Sequence, residues 1–329
     1  MSDQRPLRIG VLGAARIVPV ALLRPARALP EVEVAAVAAR DPQRARAFAR
    51  KHGIANVHPD YDSLLGDPSL EAVYNPLPNG LHCEWTIRAL EAGKHVLCEK
   101  PMASNAVEAE RMAEAAEKAG LALVEAFHWR HHPLATRMRE VVRNDIGRVR
   151  HLEASLCVPI MNRKDIRYRF DLAGGATMDM GCYVINIVRW LAEAEPSVVS
   201  AQAKLCSADV DRSMRAELRF DDGRTARITC ALFGSTLLSL AARAHGSQGI
   251  MRVFNPIAPQ YFHRLTVRTG DGVRREKVAG DATYTHQLRA FARHVREGSP
   301  IVTDARDAVA NMRVIDAVYR AAGLSLRGT

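Results

Sequence analysis

Lys100, Asp179 and Tyr183 are the side chains of this sequence whose types and settings suit proton transfer at a carbon that changes oxidation state. Lys100 stands in Glu99-Lys100-Pro101, directly after the apolar run Val96-Leu97-Cys98. An ammonium group at the carboxyl end of a buried strand is costly unless something negative or reactive lies beside it. That end of an open α/β sheet is also where ligands bind. Pro101 fixes the turn that follows and contributes no backbone donor, so the lysine is aimed. Asp179 and Tyr183 belong to Ala173-Gly174-Gly175-Ala176-Thr177-Met178-Asp179-Met180-Gly181-Cys182-Tyr183, a glycine-rich loop leading into a helix. Four residues apart, they share a helical face. Each has a plain structural alternative: a surface lysine, an aspartate that steadies a helix start, a core tyrosine.

Hydride transfer to a carbonyl leaves negative charge on oxygen, which must be protonated or stabilised. A tyrosine hydroxyl donates that proton well, but an unperturbed phenol with a pKa of about 10 is a poor base for the reverse direction. A neighbouring ammonium group favours the phenolate. Lys100 is expected to fill that role and to contact substrate or ribose. Asp179 is expected to orient Lys100 or to bind a neighbouring hydroxyl.

The elements that must position these groups follow a βαβα rhythm over the first 125 or so residues. Strands are expected at 8–12, 32–38, 72–74, 95–98 and 121–125, with helices near 18–28, 42–52, 81–92 and 106–119. This rhythm implies a doubly wound parallel sheet. Asp41-Pro42 reads as a helix cap followed by proline in the first turn, and Gly93 and Gly120 as helix stops. After residue 150 the pattern changes to strands at 150–158, 198–205, 215–220, 225–231, 250–254 and 265–268. Asp221-Asp222-Gly223 and Gly270-Asp271-Gly272 are hairpin turns, and Gly246-Ser247-Gln248-Gly249 is another. A largely antiparallel sheet is expected there, with helices at 178–194, 286–297 and 304–322. The boundary falls between Phe127 and Arg150, giving domains 1–127 and 128–329, with the last helix able to pack back on the first domain.

Arg8 to Ile17 is a strand, a small-residue turn and a helix start. Gly13, Ala14, Ala15, Arg16 and Ile17 would let a pyrophosphate approach the backbone and the helix amino terminus. The motif is degenerate, with Ala15 and Val18 where second and third glycines would stand. At the end of the second strand, Ala38-Ala39-Arg40-Asp41 lacks the acidic side chain that an NAD site uses on ribose. Arg40 suits a 2′-phosphate, so NADP(H) is expected over NAD(H).

The chain has 329 residues, 48% hydrophobic and 25% charged, with a net charge of +10. That length suggests two domains of a soluble protein. Apolar runs are too short to span a membrane, and the amino terminus lacks the order of a signal peptide, so a cytoplasmic location is expected. Six cysteines without CxxC spacing read as reduced core thiols. The arginines are scattered and accompany no nucleic-acid-reading motif, so a phosphate-bearing small molecule is the expected partner of the positive field. His128, His131 and His132 are assigned to packing and surface roles, and no metal is expected. Arg167 and Arg169 are candidates for substrate contact or structural ion pairing, and Tyr284 for lining the cleft or packing the core.

Taken together, the Gly13 turn, Tyr74-Asn75-Pro76-Leu77-Pro78-Asn79 with His82, Glu99-Lys100-Pro101, Glu125-Ala126-Phe127 with Arg130 and Pro133, and Asp179 with Tyr183 resemble the Gfo/Idh/MocA oxidoreductase family. The resemblance continues through Tyr284, Gln287, Phe291 and Asn311-Met312-Arg313. It implies a Rossmann domain followed by an α/β domain on a large open, mostly antiparallel sheet, with assembly as a homodimer or homotetramer. It implies that Lys100 is catalytic, that Asn79 and His82 lie near the nicotinamide ribose, and that Leu77, Glu99 and Lys100 join them in holding the cofactor. Tyr183 is similar to the tyrosine-type members, such as the dihydrodiol, xylose and sugar 3-keto enzymes. Ala173 and Trp129 depart from the usual glycine and tyrosine. The expected function is NADP(H)-dependent hydride transfer with a sugar, cyclitol or diol, or the matching carbonyl. The alternatives are a 3-ketoreductase of a nucleotide-linked sugar and a silent dinucleotide-sensing regulator.

Overall fold

Six short strands rich in buried aliphatic side chains form a parallel sheet: β1 (Leu7–Leu12), β2 (Val32–Ala38), β3 (Asn56–His58), β4 (Ala72–Asn75), β5 (His95–Cys98) and β6 (Leu123–Glu125). Their order is β3-β2-β1-β4-β5-β6. The order reverses between β1 and β4, and the crevice at the carboxyl ends there is where such a sheet takes ligands. In the computed structural model, which describes residues 5–234 and 236–328, the chain divides into two units. The first comprises the chain up to Ala103, Val107–His131 and Tyr284–Val309; the second comprises Ser104–Ala106, His132–Thr283 and 310 onward. Residues 1–4, on which the leader expectation rests, lie outside the described residues.

Local sequence accounts for most of the first unit. Val96, Leu97 and Cys98 are fully buried, as a central parallel strand requires. Asp41 caps the helix Pro42–His52 by accepting from the backbone N–H of Gln43 at 2.9 Å, and Gly53 ends it at φ 73°. The helix expected over 18–28 is instead one π-turn, Pro19–Leu23, followed by Arg24–Arg27. Pro19 and Pro25 each lack the donor an unbroken α-ladder needs. The short edge strand β3 and the helix Tyr61–Leu65 carry too little periodicity to be expected in advance.

The second unit holds an eight-stranded sheet of β7 (Val149–Cys157), β8 (Ser197–Ser207), β9 (Val210–Arg219), β10 (Thr225–Ala231), β11 (Ser239–Gly246), β12 (Gly249–Phe254), β13 (Arg264–Thr269) and β14 (Gly272–Glu276). The order is β14-β13-β12-β11-β7-β10-β9-β8, antiparallel throughout except where β10 runs parallel to β7. All three glycine-bearing turns named from the sequence lie between paired strands. Leu152, Ile228, Met251 and Val267 point into the buried face, against which the helix Cys182–Ala192 packs at β7 and β10. The opposite face is charged: Glu217, Arg227, Glu153, Arg243 and Arg252 form one cross-strand row. Arg227 pairs with Glu217 at 2.7 Å and Arg243 with Glu153 at 3.1 Å. Among the described residues, no helix is long and apolar enough to cross a membrane.

Candidate active site

Several sequence-predicted residues of the first unit lie at the carboxyl ends of its strands. Gly13 follows β1 with φ 99°, and its N–H donates to Ala38 at 2.7 Å, tying the turn to the end of β2. A Cβ on Gly13 would lie 3.1 Å from Leu77 Cδ2 and 3.6 Å from the Tyr61 hydroxyl, so the turn stays open only without a side chain. Ala14 is buried, Ala15 and Ile17 are half-buried, and Arg16 is exposed. Arg40 follows β2 and is exposed. Arg44, one turn into the next helix, donates through Nη2 to the Ala14 carbonyl at 2.9 Å. Burial raises the Tyr61 phenol, while a backbone bond from Arg40 and the charges of Arg40 and Arg44 oppose the shift. The Arg44 guanidinium and the Tyr61 hydroxyl thus border the Gly13 turn, and Arg40 is near enough for its charge to act on the same phenol. Neither arginine forms an ion pair among the described residues, which suits a phosphate dianion. Arg44 and Tyr61 were not expected; the signal for Arg44 was its position three residues after the Asp41 cap.

At the end of β5, Glu99 Oε1 accepts from the Tyr74 hydroxyl at 2.5 Å. Tyr74 is fully buried, and burial together with the Glu99 charge raises its pKa well above the usual phenol value, so it remains a donor. Glu99 is therefore held as an acceptor next to Lys100. Asn79 opens the single turn Asn79–Leu81. His82 is fully buried, with Nε2 2.7 Å from the Leu77 carbonyl and Nδ1 3.0 Å from that of Pro101. Its ring links the Leu77 loop to the turn after Lys100. Tyr284 stacks on His128 with ring centroids 4.0 Å apart. Glu125 is fully buried and accepts from the Met102 N–H at 2.8 Å, bracing the same turn.

Three buried histidines of this unit are held far below the ordinary imidazole value. Burial lowers His82 to a pKa of about 4 and His128 to about 3, with the Lys100 charge adding to both shifts. Burial also lowers His131 to about 3, with Arg130 adding to it, and His131 Nε2 lies 3.1 Å from Thr303 Oγ1. Each folded value lies below the unfolded value of about 6.5. The unfolded chain therefore binds more protons as pH falls, and stability present above about 6.5 is lost on acidification toward 4. Denaturant unfolding between pH 5 and 6 is expected to show an uptake approaching three protons from these rings. In His131→Asn the uptake should drop by about one; an unchanged slope would remove His131 from the account.

In the second unit, Tyr183 is 7% exposed at the start of the helix Cys182–Ala192. The segment before it, Thr177–Gly181, is a π-turn rather than the first turns of the expected helix. Such turns recur at functional sites because they re-aim one side chain without ending the helix. Asp179 lies in this turn, and its Oδ2 accepts from Arg167 Nε at 2.7 Å. The charge of Asp179 raises Arg167 above the usual guanidinium range, and Asp165 adds to it. Arg167 thus belongs with Asp179, whereas Arg169 pairs with Asp171 at the surface. Ala173 adopts φ 55°, a left-handed conformation costing about 1–2 kcal/mol for alanine, which explains the preference for glycine there. Trp129, in the first unit, is fully buried. His132 accepts from the Leu134 N–H and caps the helix Pro133–Asn144.

The first unit is a dinucleotide-binding fold by strand order and glycine turn. The chain belongs to the Gfo/Idh/MocA oxidoreductases: residues 7–127 match the model of the oxidoreductase family with an NAD-binding Rossmann fold, and residues 135–252 match the GFO/IDH/MocA C-terminal domain. It is 36% identical over 320 residues to D-xylose 1-dehydrogenase (NADP(+)) 2 of Haloferax volcanii, covering 96% of this chain and 97% of that protein. It is 37% identical over 333 residues to a dTDP-3,4-didehydro-2,6-dideoxy-alpha-D-glucose 3-reductase of Streptomyces violaceoruber, covering 97% and 96%. A 3-ketoreductase from Actinomadura kijaniata, solved with NADP and TDP-benzene, superposes with a TM-score of 0.89 at 31% identity over 96% of this chain and 98% of that one.

Proposed function

We propose that the protein is an NADP(H)-dependent oxidoreductase that interconverts a hydroxyl of a sugar, cyclitol or diol and the matching carbonyl. The observation that carries this reading is Lys100 at the carboxyl end of β5, beside a Glu99 carboxylate fixed by Tyr74, in a dinucleotide fold. The relatives named above, an NADP(+)-linked sugar dehydrogenase and a sugar reductase, support the substrate class. Gly13, Ala14, Ala15, Arg16 and Ile17 would hold the pyrophosphate, Arg40 and Arg44 the 2′-phosphate, and Leu77, Asn79, His82, Glu99 and Lys100 the nicotinamide half or the loop around it. When bound, the cofactor supplies a hydride to the carbonyl carbon or accepts one from the carbinol carbon.

Tyr183 gives its hydroxyl proton to the carbonyl oxygen in the reducing direction and takes it back in the other. Lys100 stabilises the resulting phenolate and polarises the substrate oxygen. Asp179, with Arg167 on one oxygen, holds a neighbouring substrate hydroxyl. A cytoplasmic setting is part of this reading, because all six cysteines are free and a reducing compartment keeps them so. Assembly as a homodimer or homotetramer is part of it as well.

NADPH fluorescence is expected to change on binding, and a panel of aldoses, cyclitols and diols with NADP to give absorbance at the reduced nicotinamide band. Binding without turnover across the panel would point to a dinucleotide sensor instead.

A further inference from the structure

A fully buried ion pair lies outside every group assigned above. Asp211, in β9, and Arg327, beyond the last helix, are both completely buried, with Arg327 Nη2 3.1 Å from Asp211 Oδ1. A buried pair is tolerated when its remaining polar atoms are also satisfied. Tyr319 donates its hydroxyl to Asp211 Oδ1 at 3.0 Å. The other oxygen, Oδ2, accepts from both the N–H and the hydroxyl of Thr177, each at 2.7 Å. Arg327 donates through Nε to the Gly174 carbonyl at 2.7 Å and through Nη1 to that of Ser325 at 2.9 Å.

Thr177 is the first residue of the π-turn that carries Asp179 and precedes Tyr183. Gly174 and Gly175 are the loop just before it. A Cβ on Gly175, whose φ is 138°, would come within 2.2 Å of Asp211 Oδ1 and 2.8 Å of the Tyr319 hydroxyl. On its other side the loop donates from Gly174 to the Arg169 carbonyl and from Gly175 to that of Arg167, both at 2.8 Å. A Cβ on Gly174 would lie 2.7 Å from each of those oxygens. The glycines thus fit the loop between Arg167–Arg169 and the buried ion pair. Neither side leaves room for a side chain on these two residues.

We infer that Arg327 is a positioning residue for the reaction: through Asp211 and Thr177 it sets the π-turn that carries Asp179 and leads into the helix start at Tyr183. The inference rests on the proposed role of Tyr183. It assigns to the segment after the last helix a part in catalysis that no substrate contact would reveal. A displacement of about 1 Å at a reacting group is enough to cost up to a hundredfold in rate.

The test compares Arg327→Gln, Arg327→Lys, Tyr319→Phe and Tyr183→Phe in the full chain, using the aldose that turns over fastest in the screen. Arg327→Gln is expected to lower kcat about tenfold or more while KM for NADP stays within about twofold. Arg327→Lys should recover part of the loss, since an ammonium still reaches Asp211. Backbone amide exchange over 174–181 should rise in the order Lys, then Gln. Should Arg327→Gln not fold, Tyr319→Phe removes the other partner of Asp211 Oδ1 and is expected to give a smaller kcat loss with raised exchange over 174–181, and wild-type kcat with unchanged exchange overturns the inference. Folded Arg327→Gln with wild-type kcat, or with unchanged exchange over 174–181, overturns the inference. Full turnover in Tyr183→Phe sinks the functional reading, whereas the exchange measurement still judges the positioning.

Discussion

Tyr183→Phe is expected to cut kcat by about 10² to 10⁴, the range for loss of a positioned general acid or base. The cofactor's KM should change little, because the hydroxyl serves only the reacting oxygen. Lys100→Ala should lower kcat on a similar scale and also weaken NADP binding, since the same ammonium is assigned to both. The pH dependence separates the two residues. Removing the positive charge should move the alkaline limb of the kcat profile upward, because the phenol then ionises less readily. Steady-state kinetics over pH 6–10 checks this. Near-normal turnover in both variants would abolish their roles.

A second large effect concerns the choice of dinucleotide. Each guanidinium at the Gly13 turn is expected to make charge-assisted bonds to a 2′-phosphate worth about 1.5–3 kcal/mol, or about 10- to 150-fold in affinity. Arg40→Ala and Arg44→Ala should each weaken NADP by such a factor and leave NAD nearly unchanged. The double variant should lose the preference. Arg44 is the sharper case, since its guanidinium bond to the Ala14 carbonyl occupies Nη2 and leaves other donors for a ligand. Fluorescence titration with both dinucleotides decides it; equal weakening of the two would mean that the arginines only shape the turn.

What could be read in the sequence was local. The Glu99-Lys100-Pro101 turn follows an apolar run whose character marks a central strand, and the Asp41 cap marks the start of its helix within neighbouring residues. The glycine turn at Gly13 was legible for the same reason. Partners created by strand neighbours were not. Tyr74 meets Glu99 only because β4 lies beside β5, and no periodicity states that pairing. The π-turn at Thr177 was hidden because its apolar spacing mimics an α-helix. Arg44 is one of several arginines in its helix, and only the approach to Ala14 singles it out. Asp211 and Arg327 are 116 residues apart, and each alone reads as an ordinary surface charge. From the sequence Arg167 reads equally as substrate contact or ion pair, and its bond to Asp179 comes from the glycine loop folding back over the carbonyls of 167 and 169.

The return of residues 284–309 to the first unit bears on how the chain is made. Leu288 and Phe291 are fully buried in the same core as Ile9, Tyr74 and Val124. On the ribosome, that core must wait for the intervening polypeptide before its last wall arrives. A nascent chain halted near residue 130 should therefore expose apolar surface to chaperones, and should gain protease resistance only once the helix through Phe291 has emerged.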